Sequence, residues 1–324
     1  MDNRIAVIDL GTNTFHLLLA SINGDNFQTL YKEKIAVKIG QGGINEGYIT
    51  EDARERAFAA MESFRGLIDQ EGIKMVYATA TSAIRNAKNG VAFTEEVFER
   101  TGIKIRIISG EQEADYIHYG VSKAVKFGKE TSLIMDIGGG SIEFILCNEE
   151  QVFWKGSFEI GAQRLLDKFH YHDPIHKEEI LNLEKYLATN LQRLDKAIKK
   201  YNPTSLIGSS GTFDTLSDIY TFENNIDRDP NQTELPLPLE KYFEIHEEII
   251  HKDRAQRLAI PGMIELRVDM IVVASCLINF ILKNYGILSL RVSTYALKEG
   301  LLFNIIEEHL KPDDKTTNSS AKKG

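Results

Sequence analysis

The sequence predicts an α/β protein built from two similar domains that face each other across a cleft. Three observations carry this. A short apolar run that ends in aspartate, turns through glycine and hydroxyl residues and enters a second apolar run occurs twice, at Asp9-Leu10-Gly11-Thr12-Asn13-Thr14 and at Asp136-Ile137-Gly138-Gly139-Gly140-Ser141. After each copy, segments of strand and helix periodicity alternate. The 324-residue length also exceeds what one ordinary core needs.

In order, the strand-like runs Arg4–Asp9, Phe15–Ser21, Phe27–Glu33 and Ile35–Ile39 predict a hairpin-rich sheet. Helical spacing over Glu51–Gln70 is followed by a strand at Lys74–Ala78, helices at Ser82–Ala87 and Ala92–Thr101, and a strand at Lys104–Ile108. Ser109 reads as the N-cap of a helix over Glu111–Lys126, whose acidic first turn suits the helix dipole. The opening scheme then returns as strands Ser132–Asp136, Ser141–Cys147 and Gln151–Phe158. Helices at Ala162–Lys168 and Lys177–Tyr201 precede the strand Ser205–Gly208 and a further turn, Ser209-Ser210-Gly211-Thr212, that opens another helix. Polar Asn224–Pro238, with three prolines, reads as a surface loop. The chain closes with a strand at Ile287–Val292, a helix at Tyr295–His309 and a polar tail. This organisation implies one domain of residues 1–124 plus about 296–310, a second of 125–295, and a disordered tail, 311–324.

Composition bounds the function. A hydrophobic fraction of 43% with 26% charged residues is that of a soluble globular protein. The formal net charge of −9 argues against general nucleic-acid binding, which needs a cationic face. Met270–Leu282 is apolar but too short to span a bilayer, so it reads as a buried helix and no membrane partner is expected. Met1-Asp2-Asn3-Arg4 lacks a secretory n-region, which places the protein in the cytoplasm. Cys147 and Cys276 have no paired spacing and read as core residues.

A turn such as Gly11-Thr12-Asn13-Thr14 can aim backbone N–H groups and hydroxyls at an anion, although a single one is also what a polar hairpin would show. Three consecutive glycines inside a sheet weigh against that plain reading, because they cost chain entropy and add no packing. Two such loops at equivalent places, with a third at Gly208–Gly211, indicate phosphate binding. The histidines at 170, 172 and 176 read as a solvated turn rather than a metal site.

Taken in order, Ile5–Leu19, Ala78–Arg85, Ser109–Ala114, Asp136–Glu143 and Gly208–Thr212 resemble the motifs of the exopolyphosphatase/guanosine-pentaphosphatase family. Pro261-Gly262, Arg267-Val268-Asp269 and Lys298-Glu299-Gly300 resemble its C-terminal motifs. The resemblance implies two duplicated actin/ribonuclease H-like domains and hydrolysis of a terminal phosphoanhydride. It implies Glu113 as the catalytic base, with Gln112 departing from the usual second glutamate. Asp136 and Glu143, with Asp9 second, would hold Mg2+ or another divalent cation. Phosphate contacts fall to Gly11, Thr12, Asn13, Thr14, Lys38, Thr81, Ser82, Arg85, Gly138, Gly139, Gly140, Ser141, Ser209, Ser210, Gly211, Thr212 and Arg267. For Arg85 the plain alternative is a surface salt bridge, and for Arg267 it is an ion pair with Asp269 at a helix start. The substrate would be inorganic polyphosphate or guanosine pentaphosphate, and a homodimer is expected. An actin-fold ATP-dependent kinase or ATPase and a non-catalytic phosphate sensor are the competing readings.

Overall fold

The computed structural model describes residues 3–229 and 231–310. The first part of the chain forms β1 (Arg4–Leu10), β2 (Phe15–Asn23), β3 (Asn26–Ile35), α1 (Glu51–Gln70), β4 (Met75–Ala80), α2 (Ser82–Arg85), α3 (Gly90–Thr101), β5 (Ile105–Ile107) and α4 (Gly110–Ala124). The second part begins with β6 (Ser132–Ile137), β7 (Ile142–Cys147), β8 (Val152–Phe158), α5 (Ala162–Phe169), α6 (Lys177–Asn190), α7 (Gln192–Tyr201), β9 (Ser205–Ser209) and α8 (Gly211–Glu223). It ends with β10 (Glu234–Leu235), α9 (Leu239–His251), α10 (Arg254–Leu258), α11 (Met270–Tyr285), β11 (Ser289–Ser293) and α12 (Leu297–Leu310).

The two sheets repeat one plan, which bears out the fold class. The first has the order β3-β2-β1-β4-β5 and the second β10-β11-β9-β6-β7-β8. In each, three sequential strands pair antiparallel and two later strands add in parallel beside the first of them, with β10 closing the second sheet antiparallel to β11. The parallel strands need crossovers, and these helices cover the faces that would otherwise expose apolar rows. The strands β6 and β7 are buried throughout, as sandwiched strands should be.

Two helices tie the sheets together. From α4, Ala114, Ile117 and Val121 pack with Ile134, Ile145 and Ile207 of the second sheet. From α12, Leu301, Leu302, Ile305 and Ile306 pack on Ile5, Val7, Leu18 and Ala20 of the first. The helices cross with their backbones touching at Gly300, where a Cβ would lie only 1.7 Å from the Tyr116 carbonyl oxygen. That contact fixes where α12 starts, and therefore where Lys298 points.

Several boundaries differ from expectation. The run Ile35–Ile39 is not a strand of its own: β3 continues to Ile35, opposite Phe15, and turns follow, with Lys38 at φ 50°. The helix expected over 177–201 is two, divided at Leu191, while buried Leu183, Leu187, Leu191, Leu194 and Ile198 keep one apolar rhythm across the break. The loop 224–238 contains β10, which pairs with β11. As expected, Met270–Leu282 is a wholly buried helical stretch and both cysteines are buried and free. The tail 311–324 lies outside the described residues.

Candidate active site

The duplicated strands end at one place. In the first sheet Asp9 sits opposite His16 on β2 and Thr79 on β4, and in the second Asp136 sits opposite Glu143 on β7 and Ser209 on β9. The loops that follow line a cavity of about 140 Å³ together with Asp9, Thr81, Ser82, Glu113, Asp136, Ser210 and Gly211. All four residues of each loop, Gly11 to Thr14 and Gly138 to Ser141, reach it. The loops also touch, which explains the bare backbone of the second. A Cβ on Gly140 would lie 2.6 Å from Thr12 Oγ1 and 2.5 Å from Ser82 Oγ, and one on Gly139 would lie 2.4 Å from Asn13 Nδ2.

Glu113 occupies the first turn of α4, whose N-terminus is fixed by a capping box. Ser109 Oγ accepts from the Gln112 N–H at 3.2 Å and Gln112 Oε1 accepts from the Ser109 N–H at 3.1 Å. Gln112 therefore does a cap's work, for which glutamine and glutamate are equally suited. The Glu113 side chain is 8% exposed and accepts a hydrogen bond from Arg85 Nη1 at 2.8 Å. Burial pushes its pKa up to about 8, against the opposing pull of Arg85.

The other acids are also held toward their neutral forms. Burial raises Asp9 to about 7, with Lys298 opposing and Asp136 adding to the rise. The pKa values of Asp136 and Glu143 rise by burial too, and Glu143 is pushed further by Glu113. Asp136 is well supplied with donors: Ser209 Oγ reaches Oδ2 at 2.6 Å, and Ser210 Oγ reaches Oδ1 and Oδ2 at 2.8 and 2.7 Å. Ser210 adopts φ 71°, an uncommon conformation for a residue with a side chain, and aims its hydroxyl there. Asp9 Oδ1 is buried with no hydrogen-bond partner.

Positive charge enters from elements distant in sequence. Lys34, Arg267 and Lys298 line the same cavity, as do Asp214 and His16. Lys298 pairs with Glu299 at 3.1 Å. Burial lowers its pKa, but Glu299, Asp214 and Asp9 outweigh that and leave it raised. Burial lowers Arg267, whose Nε has no partner. Asp269, offered as its partner, instead pairs with Arg254 at 3.1 Å.

Not every expected residue lines the cavity. Lys38 is exposed and touches the first loop through its backbone, donating to the Asn13 carbonyl at 2.9 Å. Arg85 does not line the cavity: it is ion-paired on one side with buried Glu113 and on the other with half-exposed Glu159. Glu143 is buried and accepts from Ser157 Oγ at 2.6 Å. Ser209, at the end of β9, and Thr212, in the first turn of α8, are buried, Ser209 acting through Asp136. Lys34, His16 and Asp214 carried no sequence signal, whereas Lys298 stood in a recognisable motif without being assigned a role.

The histidine turn is better ordered than expected. His172 stacks on His176 with ring centroids 3.8 Å apart, and among the described residues these two and Glu179 bring ligand atoms within 4.8 Å of one another. Glu179 already accepts the N–H groups of Tyr171, His172 and His176, so it serves as a helix cap.

Comparison with known proteins decides the family. The model of the Ppx/GppA phosphatase family matches residues 18–309. The chain belongs to that family. The structure of an exopolyphosphatase from Cytophaga hutchinsonii superposes with a TM-score of 0.91 at 44% identity, covering 94% of this chain and 98% of that one. An Aquifex aeolicus Ppx/GppA family member superposes with a TM-score of 0.77 at 25% identity, covering 95% and 99%. A bifunctional 3-dehydroquinate synthase/phosphatase of Fusobacterium nucleatum is 36% identical over 222 residues, 65% of this chain, which spans about 33% of that relative's length. The sequence resemblance is thereby borne out, and with it the reading of the chain as a phosphoanhydride hydrolase.

For a Ppx/GppA phosphatase a divalent cation is the natural counter-charge, and the cavity fits one. Asp9 Oδ1 is a buried oxygen without a donor, and Asp9, Asp136 and Glu113 raise one another's or their neighbour's pKa by repulsion. All the candidate ligands are hard carboxylate oxygens, the donors that Mg2+ takes. Among the described residues no helix is long and apolar enough to cross a membrane.

Proposed function

We propose that this protein releases the terminal phosphate of inorganic polyphosphate by attack of water, with Glu113 as general base. The observation that carries the reading is a buried carboxylate at the edge of a small polar cavity where two backbone-rich loops meet. Glu113, once ionised, takes a proton from water. The water oxygen bonds to the terminal phosphorus, the bridging P–O bond breaks, and its electron pair leaves with the shortened chain. The N–H groups of Gly11–Thr14 and Gly138–Ser141 cradle the phosphoryl oxygens, and Arg267 and Lys298 offset their charge. Mg2+, held by Asp9 with Asp136 and Glu143, would polarise the phosphate oxygens when bound.

Guanosine pentaphosphate suits the same apparatus and is the second reading. A kinase or ATPase is less well supported, because the cavity's non-glycine apolar lining is limited to Ile117, Ile137, Ala296 and Leu297, a poor bed for adenine. Nor does a passive sensor require a buried carboxylate beside the bound phosphate. The division into 1–124 with 296–310 and 125–295, a cytoplasmic location and a homodimer belong to this proposal. Phosphate release from medium-chain polyphosphate and from guanosine pentaphosphate, each with Mg2+ and with EDTA, tests it. Faster Mg2+-dependent release from polyphosphate is expected; release from guanosine pentaphosphate alone would move the assignment, and release from neither would overturn it.

A further inference from the structure

Glu159 follows β8 and reaches across to α2. Its Oε1 accepts from Arg85 Nη2 at 3.0 Å, and its Oε2 accepts from Ser82 Oγ and, at 3.4 Å, lies against Arg164 Nη2. Arg164 is itself fixed by the Gly140 carbonyl at 2.9 Å and the Ile44 carbonyl at 2.6 Å. One hydroxyl and two guanidinium groups thus converge on a single carboxylate, the donor set that would otherwise bind two phosphate oxygens. Ser82 is buried and lines the cavity, whereas the Glu159 side chain is 42% exposed and borders water. The donors are built into the fold, and the acceptor is the part that can leave.

We propose that Glu159 is an internal anion that holds the Ser82–Arg85 position until a phosphate chain displaces it, and that it sets specificity for polyanionic substrate over orthophosphate. Orthophosphate, a single group, must break three charge-assisted contacts to enter this position and has no second phosphate to hold in the loop cradle. A chain with further phosphates in the loop cradle has contacts in reserve. Glu159 thereby acts against the product, a specificity device built from repulsion and competition. It acts by occupying donors and is not a catalytic residue. The inference rests on the proposed phosphohydrolase reading for the identity of the displacing anion.

The test compares wild type, Glu159→Gln, Glu159→Asp and exposed Glu150→Gln as control. Orthophosphate affinity is measured by calorimetry, and kcat, KM and product inhibition are measured with polyphosphate. Glu159→Gln is expected to bind orthophosphate about tenfold more tightly, to show correspondingly stronger product inhibition, and to lower KM by a smaller factor with kcat within about twofold. Glu159→Asp, one methylene shorter, should fall between it and wild type and stands in if the glutamine variant does not fold. Unchanged or weaker orthophosphate binding, or none in any variant, overturns the inference; weaker binding would make Glu159 a support for Arg85. Absence of phosphate release from every protein, with tighter orthophosphate binding in Glu159→Gln, would sink the hydrolase reading and leave the internal anion standing.

Discussion

The two halves of this molecule use one strand plan and equip it differently. In the first, Asp9 faces His16 across the hairpin, and the loop after it presents the side chains of Thr12, Asn13 and Thr14. In the second, Asp136 faces Glu143, and the loop presents three glycines, of which Gly139 and Gly140 lack the side chains that would collide with Thr12, Asn13 and Ser82. Burial and nearby Lys298 and Lys34 hold His16 well below its ordinary pKa, so the first hairpin contributes a neutral ring where the second contributes an acid. Asp136 is satisfied by two serine hydroxyls, while Asp9 Oδ1 has no donor at all. The difference teaches that the second half satisfies its strand-end acid from within, whereas the first leaves a strand-end carboxylate oxygen without a donor. Asp9, ranked behind Asp136 and Glu143 by motif, is the acid whose environment most calls for a cation.

That asymmetry can be broken by mutation. The largest effect is expected from Asp9→Asn, which should reduce Mg2+-dependent phosphate release by more than the roughly 10–100-fold that loss of an outer partner costs, with the Mg2+ requirement rising. An equal loss in Asp136→Asn alone, with Asp9→Asn active, would reverse the assignment. Gly140→Ala should come next. Its Cβ meets Thr12 and Ser82, and overpacking of this kind costs about 1–3 kcal/mol, read as a lower urea midpoint together with weaker substrate binding. Ser210→Ala should be milder, because Ser209 continues to hold Asp136, and about a tenfold rise in the Mg2+ concentration for half-maximal activity is expected.

The smallest effect is on stability. Asp9 ionises near ~3.9 in an unfolded chain and near about 7 in the fold, chiefly through burial. Between those values the folded state holds a proton that the unfolded state lacks, so the native state loses stability as pH rises through that window. Asp9→Asn should therefore match wild type in Tm near pH 4 and exceed it at pH 8 in metal-free buffer. Saturating Mg2+ should narrow the gap by stabilising wild type.

Much of this was legible in the residues. The aspartate at each strand end, the glycine run and the Ser109 cap are local signals, and local rules of turn and cap chemistry read them correctly. Ser209 and Ser210 were placed in a loop, but their service to Asp136 depends on β9 lying beside β6, a pairing across 73 residues. Lys298 needed the crossing at Gly300, and Lys34 needed β3 to continue past Glu33. Glu159 was the hardest to foresee, because its partners Ser82 and Arg85 lie on a separate element and nothing in their spacing announces the meeting.

One comparison bears on the whole account: phosphate release from polyphosphate under saturating Mg2+ by wild type and by Glu113→Gln, with polyphosphate binding measured in parallel. Glutamine keeps the shape and a contact to Arg85 but cannot accept the proton from water. The account predicts release slowed about 10²–10⁴-fold with binding retained. Release by the variant at the wild-type rate would contradict it and require another group to activate the water.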